Sequence, residues 1–369
     1  MKLIIGGDIC PTPVTHEYFK AGDVQAVFGT VPTLFEGAAR VVANLECALT
    51  TSDTPIRKCG PNLRADPVCA QTLKNAGITD VSLSNNHTFD FGRPGMRETM
   101  KTLTEAGIGF TGVGENETAA RKPHYMEAEG KTIAVVAVCE HEYSYALPDR
   151  LGTWGFDPFD TMEDISIAAQ KADCVIVLYH GGKEQCRFPS PRLRKACQAM
   201  VRAGADVVLC QHSHCIGCYE NYRDGHILYG QGNFNFVEDS THPHWQNGLA
   251  VELNIDDNNK CAITFHPVVV TKTGITLAEG DEYARLLREL ANRNTVLQNE
   301  KAWLDAWHQF CVSMAANYRR SVDGVFPDGQ ENAPKQVFPH YLDCEAHTDV
   351  WRELFPTWQK DKTCEQGTF

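Results

Sequence analysis

What this chain has little of removes whole classes of function. Long apolar runs are missing: no segment approaches the ~20 consecutive apolar residues of a membrane-spanning helix. The opening run, in MKLIIGGDIC, is too short for a signal-peptide core and leads straight into a polar motif. A cytoplasmic protein with no membrane partner is therefore the expectation. Basic charge is scarce too, with 34 Lys and Arg against 47 Asp and Glu and a net charge of −13. Broad phosphate-backbone capture needs a basic face, so nucleic acid is not expected as a partner. The fifteen cysteines are an odd number scattered through strand-like and loop-like segments. In a cytoplasmic chain they read as reduced thiols, some packed as small hydrophobes, and not as a disulfide scaffold. Cys215 and Cys218 form half a zinc motif, but no second pair lies at the usual distance. GVGEN, at 112–116, lacks the third glycine and the strand–helix setting of a dinucleotide loop. Internal repeats and low-complexity tracts are also missing.

What is present is alternation. A chain of 369 residues with 43% hydrophobic content suits one large or two modest globular domains. Strands are expected at Lys2–Gly7, Val41–Leu45, Asp80–Ser84 and Thr132–Val138, and in the apolar runs before His180 and His212. Helices are expected at Asp66–Asn75, Pro94–Ala106, Thr161–Lys171 and Pro191–Ala203, with Gly77, Gly107 and Gly204 as stops. Strands alternating with helices indicate an α/β layer structure. After Cys215 strands follow one another with little helix, which predicts antiparallel or mixed sheet. Asp281–Arg320 reads as helical, with two helices meeting near 292–299, and the tail 321–369 has weak periodicity. The division expected is 1–278 as the main domain and 279–369 as a mostly helical extension packing on it. The tryptophan-rich helices of the extension would pack either on the core or against a second copy in a homodimer.

Five strand ends carry metal-type ligands. Asp8 follows the first apolar run, Asn44 and Glu46 the second, Asn86 and His87 the third; His180 and the pair His212 and His214 follow later ones. Functional groups of α/β sheets gather at the carboxyl ends of strands. A carboxylate such as Glu46 can bridge two divalent cations, and imidazoles suit Zn, Mn or Fe. In HSH, one imidazole can serve each metal. His87 would then stay off the metals as a general acid, oriented by Asp90.

The ordered motifs GGDIC, NLE, LSNNHTFDFG, TLTEAGIGFTGVGEN, GADVVLCQHSH and ILYGQGNFNF resemble the calcineurin-like metallophosphoesterase superfamily. Within it they are most similar to the CapA branch, named for capsule and poly-γ-glutamate synthesis proteins. The resemblance covers roughly residues 1–270. It implies an α/β sandwich of two mixed β-sheets flanked by helices, here with a helical C-terminal extension. It also implies two divalent transition-metal ions. Asp8 and His214 would hold one, and Asn86, His180 and His212 the other; Glu46 stands where the superfamily usually has a bridging aspartate. Departures are visible. Cys10 occupies the usual histidine position of the first motif, as a ligand or a bystander. Glu46 is one methylene longer than aspartate, and the acid serving His87 is displaced to Asp90.

Candidates for substrate contact are Arg64, Asn44, Glu140, His141 and Glu184; Glu142, beside His141 in CEHEY, shares the reading of substrate contact or solvated surface. Arg64 suits bidentate capture of phosphate or carboxylate, and Asn44 is either such a contact or an Asx-turn residue. The reaction expected is phosphoester hydrolysis on a small anionic or cell-envelope-related substrate, with metal-activated hydroxide as nucleophile. The alternatives are a non-catalytic metal-binding accessory protein of capsule or poly-γ-glutamate biosynthesis, and a γ-glutamyl amide hydrolase.

Overall fold

A computed structural model describes residues 1–240, 242–323 and 337–355. In chain order its principal strands are β1 (Lys2–Cys10), β2 (Arg40–Leu45), β3 (Asp80–Ser82), β4 (Gly109–Thr111), β5 (His124–Ala128), β6 (Lys131–Cys139), β7 (Cys174–His180), β8 (Val207–Gln211), β9 (Tyr219–Tyr222), β10 (Gly225–Leu228), β11 (Asn233–Phe236), β12 (Asn247–Ile255), β13 (Cys261–Val270) and β14 (Ile275–Leu277). They form two large mixed sheets. One is eight-stranded, in the order β14-β13-β12-β1-β2-β3-β4 with β11 also paired to β1; the other is six-stranded, in the order β9-β10-β8-β7-β6-β5. Strands β1 to β4 run parallel to one another, while β12 to β14 are antiparallel. In the second sheet β6, β7, β8 and β10 are parallel, and β5 and β9 antiparallel edges.

The alternation of side chains along the strands builds the layers. Leu3 and Ile5 from β1, Ile133 and Val135 from β6, Ile176 and Leu178 from β7 and Leu209 from β8 meet between the sheets. Their neighbours Ile4, Ala134, Val136, Val175 and Val177 point outward. Both faces of each sheet are thus apolar, which is why the parallel strands are near-continuous hydrophobic runs. Helices α1 (Cys69–Ala76) and α2 (Gly92–Ala106) cover the outer face of the first sheet, and α3 (Pro158–Ala169) and α4 (Pro191–Ala203) that of the second. Asp157 and Ser190 cap α3 and α4, each with proline in the first turn.

The extension begins with α5 (Gly280–Gln298) and α6 (Glu300–Asp323), which break at Asn299, inside the segment where the sequence places their junction. Leu286 and Leu290 close one end of the inter-sheet core. Two short helices follow, α7 (Val337–Asp343) and α8 (Glu345–Leu354). They pack with α6 through Trp307, Cys311, Tyr318 and Val350 in a separate apolar cluster. The weak periodicity of the tail does not forecast these helices. All cysteines among the described residues are free. No helix among those residues is long and apolar enough to cross a membrane.

Candidate metal centre

Parallel strands place their carboxyl ends at one edge of each sheet, and the ligand-type residues meet there. Asp8 lies opposite Asn44 on β2 and Asn233 on β11. Gly7, just before it, is required by close approach: a Cβ there would stand 2.4 Å from the Gly232 carbonyl oxygen. The glycines of GGD and GQGNF thus let β1 and β11 come together behind Asp8. His212 and His214 both have left-handed backbone, at φ 79° and 51°. Such conformations cost non-glycine residues about 1–3 kcal/mol each, and here they turn both imidazoles into the cluster.

Two triads result. Glu46, His180 and His212 form one, and Asp8, Glu46 and His214 the other, each with its ligand atoms within 4.8 Å of one another. Glu46 belongs to both. His180 Nε2 lies 3.3 Å from Glu46 Oε1 and 2.9 Å from Asn86 Oδ1, which adds Asn86 to the first triad. The protein fixes these groups from behind. Asn44 donates to Asp8 Oδ1 at 2.8 Å and sits 3.2 Å from His180 Nδ1. The backbone N–H of His212 donates to Asp8 Oδ2. Asn233 Oδ1 is 2.8 Å from His214 Nδ1, and Trp245 packs on that ring with centroids 4.4 Å apart. Bonding one ring nitrogen fixes the imidazole and frees the other, the arrangement metal-binding histidines use.

The charge balance fits divalent cations. Both carboxylate oxygens of Glu46 and Nδ1 of His212 are buried with no hydrogen-bond partner. A buried naked carboxylate is costly unless a cation compensates it. Burial, then the like charge of Glu46, raises the Asp8 pKa above the ordinary carboxylate value. Burial and the neighbouring His212 push His180 down to about 3, which keeps its imidazole neutral. For His212, burial is outweighed by the Glu142 carboxylate, with help from Glu184 and Glu46, and its pKa stands at about 10.

Beside the triads sit His87 and Asp90. His87 Nδ1 is 2.7 Å from Asp90 Oδ2. Lys58, which sequence reasoning missed, donates to Asp90 Oδ1 at 2.6 Å and to the Asn86 carbonyl at 3.1 Å, and lies 3.2 Å from His87 Nδ1. Burial and the Lys58 ammonium lower the His87 pKa, against the pull of Asp90. Glu142, which shares the CEHEY stretch with Glu140 and His141, meets the cluster as well. It accepts from Asn86 Nδ2 at 3.1 Å and lies 3.4 Å from His212 Nε2. A cavity of about 260 Å³ opens over the centre, walled by Asn86, His87, Lys58, Glu142, Lys183, Glu184, His340 and His347 among others.

Several sequence candidates have other duties. Cys10 packs into the outer apolar layer of the first sheet; a hydrogen bond with Cys47 and burial hold its thiol protonated, and it is in neither triad. Asn44 is fully buried and orients ligands, so it has no face for substrate. Arg64 is exposed, bonds the carbonyls of Thr51 and Ser52, and lines a different surface hollow with His16 and Asp66. Glu140 is buried, accepting from Tyr179, Arg192 and the Ala346 N–H. His141 pairs with Glu345 at 2.7 Å. Both therefore bind α8 to the core. Glu184 does line the cavity.

The model of the bacterial capsule synthesis protein PGA_cap family matches residues 2–238. This chain belongs to that family. The PGA_cap chain is 28% identical over 277 residues to capsule biosynthesis protein CapA of Bacillus anthracis, covering 73% of this chain and 67% of that protein. PGA biosynthesis protein CapA of Bacillus subtilis is 28% identical over 239 residues, 62% of each chain. The PGA_cap chain thus spans roughly two thirds of the length of these relatives. Among solved structures, a hypothetical protein from Thermus thermophilus aligns at TM-score 0.48 and 16% identity, covering 72% of this chain and 98% of that one. A 5′-nucleotidase precursor from the same organism aligns at TM-score 0.43 and 12% identity, over 81% and 60%.

Proposed function

We propose that the protein is a dinuclear-metal hydrolase that cleaves a phosphoester in a small anionic or cell-envelope-related substrate. The observation that carries this reading is Glu46, a buried carboxylate without a hydrogen bond that belongs to two ligand triads at once. Asp8, Glu46 and His214 would hold one ion; Glu46, Asn86, His180 and His212 would hold the other. Two divalent transition-metal ions (Mn, Fe or Zn), when bound, would supply Lewis acidity and an activated water. The chain's own residues do the rest. His87 turns Nδ1 to Asp90, which leaves its other ring nitrogen for the cavity it lines, where it delivers a proton to the leaving oxygen. Lys58 locks Asp90 and the Asn86 carbonyl in place, so the acid and the ligand beside it share one support.

The test is turnover of an aryl phosphate by Mn- or Zn-loaded protein. His87→Ala should lower kcat by about 10²–10⁴-fold with metal content unchanged. Turnover that survives His87→Ala, or none in the metal-loaded native chain, would remove the phosphoesterase reading. Glu142 and Glu184 on the cavity wall favour one second reading, because carboxylates repel a phosphate dianion and suit a substrate carrying an amine. In that case the bond is an amide, such as a γ-glutamyl linkage, and His87 protonates the departing amine. Release of glutamate from γ-glutamyl oligomers, with inert aryl phosphates, would select it. Binding of the oligomers without turnover would select an accessory role.

A further inference from the structure

The cavity roof carries ligand-type side chains that phosphoester cleavage at the two-ion centre does not use. Glu142, His340 and His347 bring one carboxylate oxygen and two ring nitrogens within 4.8 Å of one another. Glu142 comes from the loop after β6, His340 from α7 and His347 from α8, on either side of the helix break at Cys344. All three line the cavity. Glu142 and His347 are buried, and His340 is half-buried.

Each of these groups is held from behind. His347 Nδ1 lies 2.7 Å from the hydroxyl of Tyr318, itself fully buried, and the His347 ring stacks on Tyr341 with centroids 3.9 Å apart. One nitrogen is thereby fixed, and the other is turned loose toward the cavity, the way outer-shell groups prepare a histidine to ligate. His340 stacks on Tyr143 at 5.1 Å. The ammonium of Lys183 lines the same cavity and has Glu184 3.9 Å away as its counter-charge. Two imidazoles with a carboxylate suit Zn, Mn or Fe better than Mg or Ca.

We propose that Glu142, His340 and His347 form a third divalent transition-metal site in the roof over the two-ion centre. Glu142 connects the two sets of ligands, since it also touches Asn86 and His212. The histidines lie beyond residue 238, where the family match ends. The extension therefore adds a cationic element of its own at the mouth of the family's site, placed to receive an anionic group of the substrate. The proposal does not depend on which bond the two-ion centre cleaves.

Metal content decides it. The full chain, loaded with zinc and dialysed, should hold near three ions by elemental mass spectrometry. His340→Gln and His347→Gln should each hold near two, and His180→Ala should lose zinc from the two-ion centre while keeping the roof ion. Crystals of the zinc-loaded native chain give a readout that needs no variant to fold: anomalous density among Glu142, His340 and His347. Density confined to the Asp8–Glu46–histidine centre would overturn the proposal. So would equal zinc in the native chain and in glutamine variants of unchanged melting temperature. Zinc in the roof with none at Glu46 would instead sink the hydrolase reading and leave this site standing.

Discussion

Glu46 sets a conflict between stability and function at a single side chain. Without cations its two oxygens are buried and unpaired. Glu46→Gln keeps the shape and removes the charge. The variant should lose both ions of the centre by elemental analysis, yet its metal-free form should be more stable than the native metal-free form, on the order of 1–3 kcal/mol. Denaturant unfolding after chelation measures this. Lys58 makes the complementary case, because it supports the acid and, at Asn86, bonds only the backbone carbonyl, not a ligand atom of either triad. Lys58→Met should cut kcat about 10–100-fold, as loss of the groups that hold a site in place does, with metal content retained and Asp90 Oδ1 left without its ammonium partner. The residues that gather in the two triads were legible in the sequence because each follows an apolar run that reads as a strand. Lys58 was not, since residues 50–63 have no regular structure around it and its contacts to Asn86, His87 and Asp90 span 28 to 32 residues.

Strand ends matter at the next scale, since β3 delivers Asn86 and His87. Asp80 anchors its start: it lies 3.0 Å from His124 Nε2, on the edge of the second sheet. Burial opposes ionisation, but hydrogen bonds from His124 and Thr79 prevail and hold the Asp80 pKa below the ordinary carboxylate value. A group whose pKa is depressed by folding stabilises the protein above its unfolded pKa, near 3.9, and that stability is lost as pH falls through the lower folded value. Asp80→Asn should therefore melt lower at pH 7, and the gap from the native chain should close below about pH 4. Alternation and glycine stops were enough to read the central strands of both sheets and the four covering helices, but the edge strands β4, β5 and β14 and the short β11 escaped. The two short helices of the tail escaped, because their hydrophobic faces answer to α6 and not to any local repeat. Arg64 misled for a related reason. A guanidinium in the right part of the sequence says nothing of which hollow it faces, and here the irregular chain before it takes its hydrogen bonds.

Across the whole molecule the two sheets, the loops at their carboxyl ends and the C-terminal helices converge on one region, so ions bound there would brace the fold. Adding chelator should lower the melting temperature. Ion at 100 times its Kd stabilises by about 3 kcal/mol, and restoring Mn or Zn should recover the loss. Single variants at His180 or His214 should show part of that shift. The sharing of Glu46 between triads has a further consequence for how the centre fills. On the proposed two-ion reading, the first ion to arrive would neutralise the carboxylate that attracts the second, so the two positions should load with negative cooperativity. In His347→Gln, which lacks the roof site, a plot of bound metal against free metal should rise in two steps. At low metal supply the population should consist mainly of singly loaded molecules, which makes the weaker step a natural point at which metal availability tunes activity.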